Sequence, residues 1–320
     1  MRLNVIDMPE YFPARDATGH ALSVHARVIN LGLDGDHAGH SIVTIDARNN
    51  APLSPGAARL KAPKYLDFSR MVRPGAGVAI RSGIMRISAA ELAIDFRDAA
   101  PVRWNDGPVR PKQSKTGLAA GWVDAWSLLI DGTDPSGFAT ALVNSEQQSR
   151  FDRVLARRVR TAVPGLMQAS AKVDLPRARD FLRRLLGTGP GLTPSGDDFA
   201  TGYFLGLGQV FHDPNQLKFL CGLAQAAVAQ SLDSTDVSRA YLAHAAAGRF
   251  SEPLTSFVGA VLSHDDDLPA RLTDVLSMGH SSGRDAAFGV LCGLAVNDPH
   301  LHTRVGSQLN NVHLQENTAR

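Results

Sequence analysis

The sequence predicts an α+β protein, in which a β-rich N-terminal barrel or curved sheet is followed by an all-helical C-terminal domain with an internal pseudo-repeat. Two observations support this prediction. Between Ala21 and Arg97 the apolar residues alternate with polar ones or form short β-branched runs separated by Gly, Asp, Asn and Pro, as in strands. Beyond Lys115 the apolar residues recur at helical spacing in roughly eight or nine segments.

Composition and length set the domain plan and the class of protein. The 320 residues are enough for two domains. We expect a β-rich domain at 1–105, a helical domain with a Gly-rich ligand loop at 106–300, and a tail at 301–320 that frays or lies on the surface. The boundary follows from Pro101–Lys115, which is rich in proline and charge like a connector.

Charge and hydropathy indicate a cytoplasmic protein without nucleic-acid or membrane partners. The formal net charge is only +2, so no global basic signal points to nucleic acid. No apolar run resembles a signal sequence or reaches the about 18 residues of a membrane span. Cys221 and Cys292 lie in helical patterns outside any metal or redox motif, which favours buried free thiols.

The helical segments are predicted from apolar residues three and four positions apart. They cover 118–130, 138–159, 177–186, 199–210, 217–232, 237–247, 254–262, 268–278 and 285–295.

The most unusual stretch, residues 187–198, has the sequence GTGPGLTPSGDD. Its glycines allow positive φ and close approach to a ligand, its prolines stiffen the loop, and Ser195 is placed to cap the next helix. We expect backbone N–H groups and hydroxyls here to hold an anion, with Asp197 and Asp198 as the catalytic carboxylates. The expected ligand-binding residues in the loop are Gly189, Gly191, Thr193, Ser195 and Gly196.

An internal repeat follows at a constant offset of 87 residues. Residues 194–207 are PSGDDFATGYFLGL and residues 281–294 are SSGRDAAFGVLCGL. Each copy has an aspartate followed by glycines four and eight positions later, so each helix has a stripe of small residues on one face. A helical glycine costs about 1 kcal/mol relative to alanine. We therefore predict that the two helices pack closely, about a pseudo-two-fold axis, with their N-termini at one site.

The repeat adds Ser282, Asp285 and the neighbouring His280 to the expected ligand-binding residues. The alternative for both S-x-x-D patterns is a capping box. Gly187-x-Gly189-x-Gly191 follows a helix and not a strand, which argues against a dinucleotide loop, and the GHSSG at 279–283 follows a helix too, which argues against a nucleophile elbow.

Two further features have ordinary structural interpretations. Residues 150–184 hold ten Lys or Arg against three Asp, as solvated helix faces often do. Ser234, Thr235 and Asp236 precede another helix, where capping is the simplest role and a contribution to the same pocket is the alternative.

These motifs resemble a known family. GTGPGLTPSGDD, the later STDVSRAYLAHAAAGRFSE and the final GHSSGRD are similar to the AllH-type subunit of oxamate carbamoyltransferase, over most of the helical domain. The resemblance implies a bacterial protein that acts with an FdrA-like subunit and another subunit. Together they interconvert oxalurate and phosphate with oxamate and carbamoyl phosphate, in allantoin or purine breakdown. It supplies no catalytic residues.

We therefore expect a subunit of a carbamoyltransferase complex that binds phosphate, carbamoyl phosphate or a carboxylate at the Gly-rich loop. Mg²⁺ is a candidate cofactor through Asp197 or Asp198. Two alternatives stay open. One is a non-catalytic assembly subunit that uses the loop for docking, and the other is a stand-alone hydrolase with paired carboxylates.

Overall fold

The structure is a computed structural model that describes residues 1–9, 16–35, 42–48, 54–88, 90–102, 115–131, 136–142, 148–231 and 234–318. Most of the connector predicted at Pro101–Lys115 lies outside these residues. The chain divides into two compact units, Met1–Asn105 and Asp106–Arg320. Within the described ranges, no helix is both long and apolar enough to cross a bilayer.

The first unit is a closed β-barrel, which confirms the predicted β-rich fold. Eight strands follow the order β5-β4-β3-β2-β6-β7-β8-β1, and pairing of β1 with β5 closes the ring, while β9 pairs with the second half of β1. The strands are β1 Arg2–Pro9, β2 Ala17–Val24, β3 Val28–Leu33, β4 Ile42–Asp46, β5 Ala57–Lys61, β6 Gly77–Arg81, β7 Ile84–Ile87, β8 Leu92–Asp95 and β9 Ala100–Val102.

Alternation along the strands fills the barrel interior. In β1 the side chains of Leu3 and Val5 are buried between exposed neighbours, as a period of two requires. Ile29, Ile45 and Ile94 are completely buried in the same core. Closure leaves the eight strands without a free edge, which removes a common site of unwanted strand pairing.

The second unit contains ten described helices. They are α1 Lys115–Asp131, α2 Arg150–Ala171, α3 Leu175–Leu185, α4 Ser195–Val210, α5 Pro214–Gln230, α6 Asp236–Ala246, α7 Glu252–Ser263, α8 Leu268–Leu276, α9 Ser282–Leu294 and α10 Pro299–Thr318. A 3-10 helix at Gly137–Ala141 precedes α2.

Three sequence predictions differ from this structure. The helix predicted over 138–159 is wrong in its bounds, because a 3-10 helix occupies Gly137–Ala141 and α2 begins only at Arg150, where Ser149 forms a capping box. The segment after residue 300 is helical, and Leu301, Val305 and Leu309 are buried in the core. Both cysteines are free as predicted, but Cys221 is exposed and only Cys292 is buried.

Helices α4 and α9 lie at the centre of the second unit and form its most extensive helix–helix contact. Their aromatic side chains meet in the core, where the ring centroids of Phe199 and Phe288 are 5.3 Å apart. Trp126 packs on Phe288, and Trp122 stacks on Trp126 at 4.9 Å. The two helices that carry the repeat are therefore held by the largest apolar side chains of the unit.

Candidate functional site

The repeated glycines allow the backbones of α4 and α9 to touch. A Cβ atom at Gly202 would lie 1.9 Å from the carbonyl oxygen of Ala286. A Cβ atom at Gly289 would lie 2.1 Å from the carbonyl oxygen of Phe199. At the 87-residue offset, Gly202 corresponds to Gly289 and Phe199 to Ala286, so each contact is the image of the other with the helices exchanged.

The second glycine pair repeats this relation. A Cβ atom added at Gly206 would lie 2.4 Å from the carbonyl oxygen of Val290. A Cβ atom added at Gly293 would lie 2.5 Å from the carbonyl oxygen of Tyr203. These residues exchange at the same offset. The predicted close approach about a pseudo-two-fold axis is confirmed. The first turns of α4 and α9 consequently lie next to each other at one end of the helix pair.

The Gly-rich loop is a tight turn that is closed by its own hydrogen bonds. Gly187, Gly189 and Gly191 all have positive φ, which only glycine adopts without strain. The N–H of Gly196 donates to the carbonyl of Thr188 at 3.0 Å. A Cβ at Gly189 would lie 2.7 Å from the Ser195 nitrogen. The loop therefore folds back tightly over the start of α4.

Other loop N–H groups stay free. Among the described residues, none accepts a hydrogen bond from the N–H of Gly189, Gly191 or Thr193. Space around Gly191 is open, since an added Cβ would meet nothing within 4 Å. These donors lie beside the start of α4, where the helix dipole is positive.

Asp197 has a structural position. Its carboxylate accepts hydrogen bonds from the Gly187 N–H at 2.8 Å, from the Ser238 hydroxyl at 2.6 Å and from the Ser234 hydroxyl. It is buried and ties the loop to the start of α6. Thr235 caps that helix, as predicted, and its hydroxyl also donates to the Leu192 carbonyl. Both oxygens of Asp197 are thus occupied by the protein itself.

Replacing Asp197 with alanine should lower the free energy of unfolding by roughly 2–4 kcal/mol, because three donors lose their acceptor. Urea unfolding followed by circular dichroism measures this. Asp236→Ala is the control, since that exposed residue forms an ion pair with the exposed Arg239, and its replacement should cost less than about 1 kcal/mol. Equal effects of the two changes would contradict a structural role for Asp197.

Asp198 and Asp285 face each other between the two helix starts. Asp285 is completely buried. Burial, and then the charge of Asp285, raise the pKa of Asp198 well above its ordinary value. Burial also raises the pKa of Asp285 to about 7, against the lowering effect of the Ser195 hydroxyl and the Phe138 N–H. At neutral pH the two carboxyls therefore do not carry two full charges.

Three buried polar atoms at this junction have no partner in hydrogen-bond geometry among the described residues, although the Ser195 hydroxyl lies near Asp285 and the Thr193 and Ser282 hydroxyls lie near Asp198. They are Oδ2 of Asp198, Oδ2 of Asp285 and the hydroxyl oxygen of Ser195. Buried polar groups in proteins almost always have partners, and an unpartnered one costs about 1–3 kcal/mol. Such a cluster marks a place where a ligand can supply the missing bonds.

The 3-10 helix forms a third wall that the sequence analysis missed. The Phe138 N–H donates to Oδ1 of Asp285 at 2.6 Å, and the Phe138 ring packs on Phe199 with centroids 5.5 Å apart. Gly137 has φ +59°, and an added Cβ would lie 2.3 Å from Oδ2 of Asp285. A Gly-Phe pair after a turn is too common a sequence to have signalled this contact.

The remaining predicted site residues lie around this junction with different roles. The Thr193 and Ser282 hydroxyls are 2.9 Å apart and join the two repeats. His280 is exposed, two residues before α9. The predicted capping by Ser195 is wrong, because Pro194 occupies the cap position of α4. The capping box at Ser282 does not form either, since α9 has no side-chain cap. Both serines lie inside the first turn, where their hydroxyls face the site.

The described residues offer few metal ligands. They contain no group of three or more His, Cys, Asp or Glu side chains that could hold a metal ion. Mg²⁺ often takes only one or two protein carboxylates, with substrate oxygens and water completing the octahedron. Of the two carboxylates predicted to hold Mg²⁺, Asp197 has both oxygens occupied by the protein and Asp198 keeps one unpartnered oxygen. The Mg²⁺ site therefore stays a prediction.

The fold and the site define a class: a β-barrel followed by a helical unit whose central repeat brings two glycine-bearing helix starts and two buried carboxyls together. Residues 185–294 match the family model described as oxamate carbamoyltransferase subunit AllH. The match runs from the Gly-rich loop to the end of α9 and confirms the resemblance predicted from the motifs. No solved structure matches the chain.

Proposed function

We propose that this chain is a subunit of an oxamate carbamoyltransferase-type complex, and that the Gly-rich loop with the starts of α4 and α9 binds a small anion carrying N–H groups. The main support is the set of unpartnered atoms at the junction. Free N–H donors of Gly189, Gly191 and Thr193 lie on the loop that leads into α4, and the unpartnered carboxyl oxygens belong to Asp198 and Asp285 in the first turns of α4 and α9.

This arrangement suits a ligand that has a negatively charged group at one end and a hydrogen-bond donor at the other. The loop N–H groups and the helix dipole favour a carboxylate or phosphate. The carboxyl oxygens favour an amide or carbamoyl N–H. Oxamate, oxalurate and carbamoyl phosphate each combine both features, as the family match leads us to expect. Inorganic phosphate offers the anionic group alone.

The raised pKa values make the carboxyl pair suitable as a general base. When the amide nitrogen of oxamate attacks the carbamoyl carbon, an N–C bond forms, the C–O bond to phosphate breaks, and the nitrogen loses a proton. A general base is most effective when its pKa lies near the working pH, and burial raises the pKa of Asp285 to about 7. We propose that the Asp198–Asp285 pair accepts this proton while phosphate leaves with the bonding electrons.

Isothermal titration of the full chain tests the binding proposal. Asp198→Ala should weaken oxamate and carbamoyl phosphate at least about 10-fold, as expected for one lost hydrogen bond to a charged group. It should leave phosphate unchanged or bound more tightly, because a carboxyl near the anion is removed. Asp131→Ala, at an exposed position at the end of α1, is the control and should match the wild type.

The alternatives predict other results. A docking loop predicts no binding by any variant; the loop has only one exposed large apolar residue, Leu192 at 38%, which gives little support to docking. A stand-alone hydrolase predicts turnover by the isolated chain without other subunits. Identical binding by wild type and Asp198→Ala would argue against the proposed site.

A further inference from the structure

A basic groove lies between α2 and α3, outside the site described above. Its volume is about 560 Å³, and its lining residues are Val154, Arg157, Arg158, Thr161, Ala162, Arg183 and Arg184. The four arginines come from two helices that pack side by side. Ala162 is buried at the floor, whereas Val154 remains 57% exposed. The groove therefore combines a cationic rim with a small apolar surface.

The positive charge of the groove is largely uncompensated. Arg183 pairs with Asp180 at 3.5 Å, but both side chains are about two-thirds exposed, so the pair is weak. Among the described residues, Arg157, Arg158 and Arg184 have no ion pair, and Arg184 lies over the Phe181 ring at 5.1 Å. Arginine with exposed apolar surface is typical of protein interfaces.

The same unit also carries an acidic patch, whose charge is opposite to that of the basic groove. It consists of Asp124 on α1 and of Asp265, Asp266 and Asp267 in the turn between α7 and α8, all exposed. His264 joins the two parts, because its ring nitrogen lies 2.8 Å from Asp124. The ion pair between Arg271 and Asp267 is long, at 3.5 Å between nitrogen and oxygen. In the described structure Asp266 has no cationic partner.

We propose that the basic groove of one molecule binds the acidic patch of a second copy of this chain, so that the chain associates head to tail. Four arginines line the groove and four exposed aspartates form the patch, so the charges of the two surfaces are complementary. A small-molecule site normally buries most of its ligand, which this open groove cannot do. Because the groove and the patch are different surfaces of one chain, two reciprocal contacts give a two-fold dimer, whereas single contacts give closed rings or open chains.

Sedimentation velocity of the full chain at 50 and 300 mM NaCl tests this. Wild type should associate at low salt, and the apparent dissociation constant should rise at least about 10-fold at high salt, where exposed charges are screened. Arg158→Glu with Arg183→Glu should stay monomeric at 50 mM, and so should Asp265→Lys with Asp266→Lys. An equimolar mixture of these two double variants should associate, because one retains the patch and the other the groove.

A matched control separates the groove from net charge. Arg73→Glu with Arg304→Glu makes the same charge change at exposed positions on the barrel and on α10, and it should associate like wild type. Circular dichroism melting confirms that each variant is folded. A monomeric wild type at 50 mM NaCl, equal loss in the control, or a mixture that stays monomeric would overturn the proposal. The proposal would also be overturned if the chain did not self-associate under any of these conditions and instead bound tripolyphosphate through the four arginines.

Discussion

Gly289→Ala should lower the free energy of unfolding by about 3 kcal/mol or more, at the upper end of what overpacking costs. The added methyl would lie 2.1 Å from the Phe199 carbonyl oxygen and 2.8 Å from the Tyr203 nitrogen. Both are backbone atoms in a helix, so neither can rotate away. The helices would have to separate, which would also loosen the aromatic contact of Phe199 with Phe288.

Gly202→Ala should have a similar effect, because its methyl would lie 1.9 Å from the Ala286 carbonyl oxygen. The matched control is Gly259→Ala in α7, where an added Cβ meets nothing within 4 Å. There alanine should stabilise the helix by about 0.5–1 kcal/mol. Urea unfolding followed by circular dichroism and by the fluorescence of the buried tryptophans measures all three. A loss below about 1 kcal/mol at Gly289 would mean that α4 and α9 can move apart easily.

The sequence was sufficient to predict this packing because the repeat constrains it twice. Glycines four residues apart define one helix face, and the same spacing in both copies means that the two faces are alike. Like faces of small residues pack most closely when each lies against the other about a two-fold axis. The barrel was predicted less sharply, because alternation identifies strands but not their partners. Its closure depends on the pairing of β1 with β5, which no local pattern specifies.

The different roles of the adjacent residues Asp197 and Asp198 could not be predicted from the sequence either. Successive helical residues point about 100° apart, so Asp197 faces the start of α6 while Asp198 faces α9. Three donors occupy Asp197, whereas Asp198 keeps an unpartnered oxygen. Gly137 and Phe138 escaped notice because they reach Asp285 across 147 positions of sequence. Composition marked the loop, but only tertiary contacts distinguish its structural carboxylate from its available one.

Asp285→Asn should make the protein more stable at pH 8 while changing little near pH 4. Burial raises the pKa of Asp285 from 3.8 to about 7. Between these values the unfolded chain has released a proton that the folded chain retains, so the free energy of unfolding falls as pH rises through this window. Above pH 7 the loss is complete. At 1.36 kcal/mol per pH unit it is bounded by about 4 kcal/mol.

Asparagine keeps an oxygen for the Phe138 N–H and cannot ionise, so the variant should lack this loss. Urea unfolding at pH 5 and pH 8 measures it: wild type should lose up to about 3 kcal/mol relative to Asp285→Asn over this interval. Asp131→Asn is the control and should follow the wild type. Parallel pH curves for wild type and Asp285→Asn would show that Asp285 is ionised throughout. The Asp198–Asp285 pair would then be unable to hold the proton that the proposed carbamoyl transfer requires.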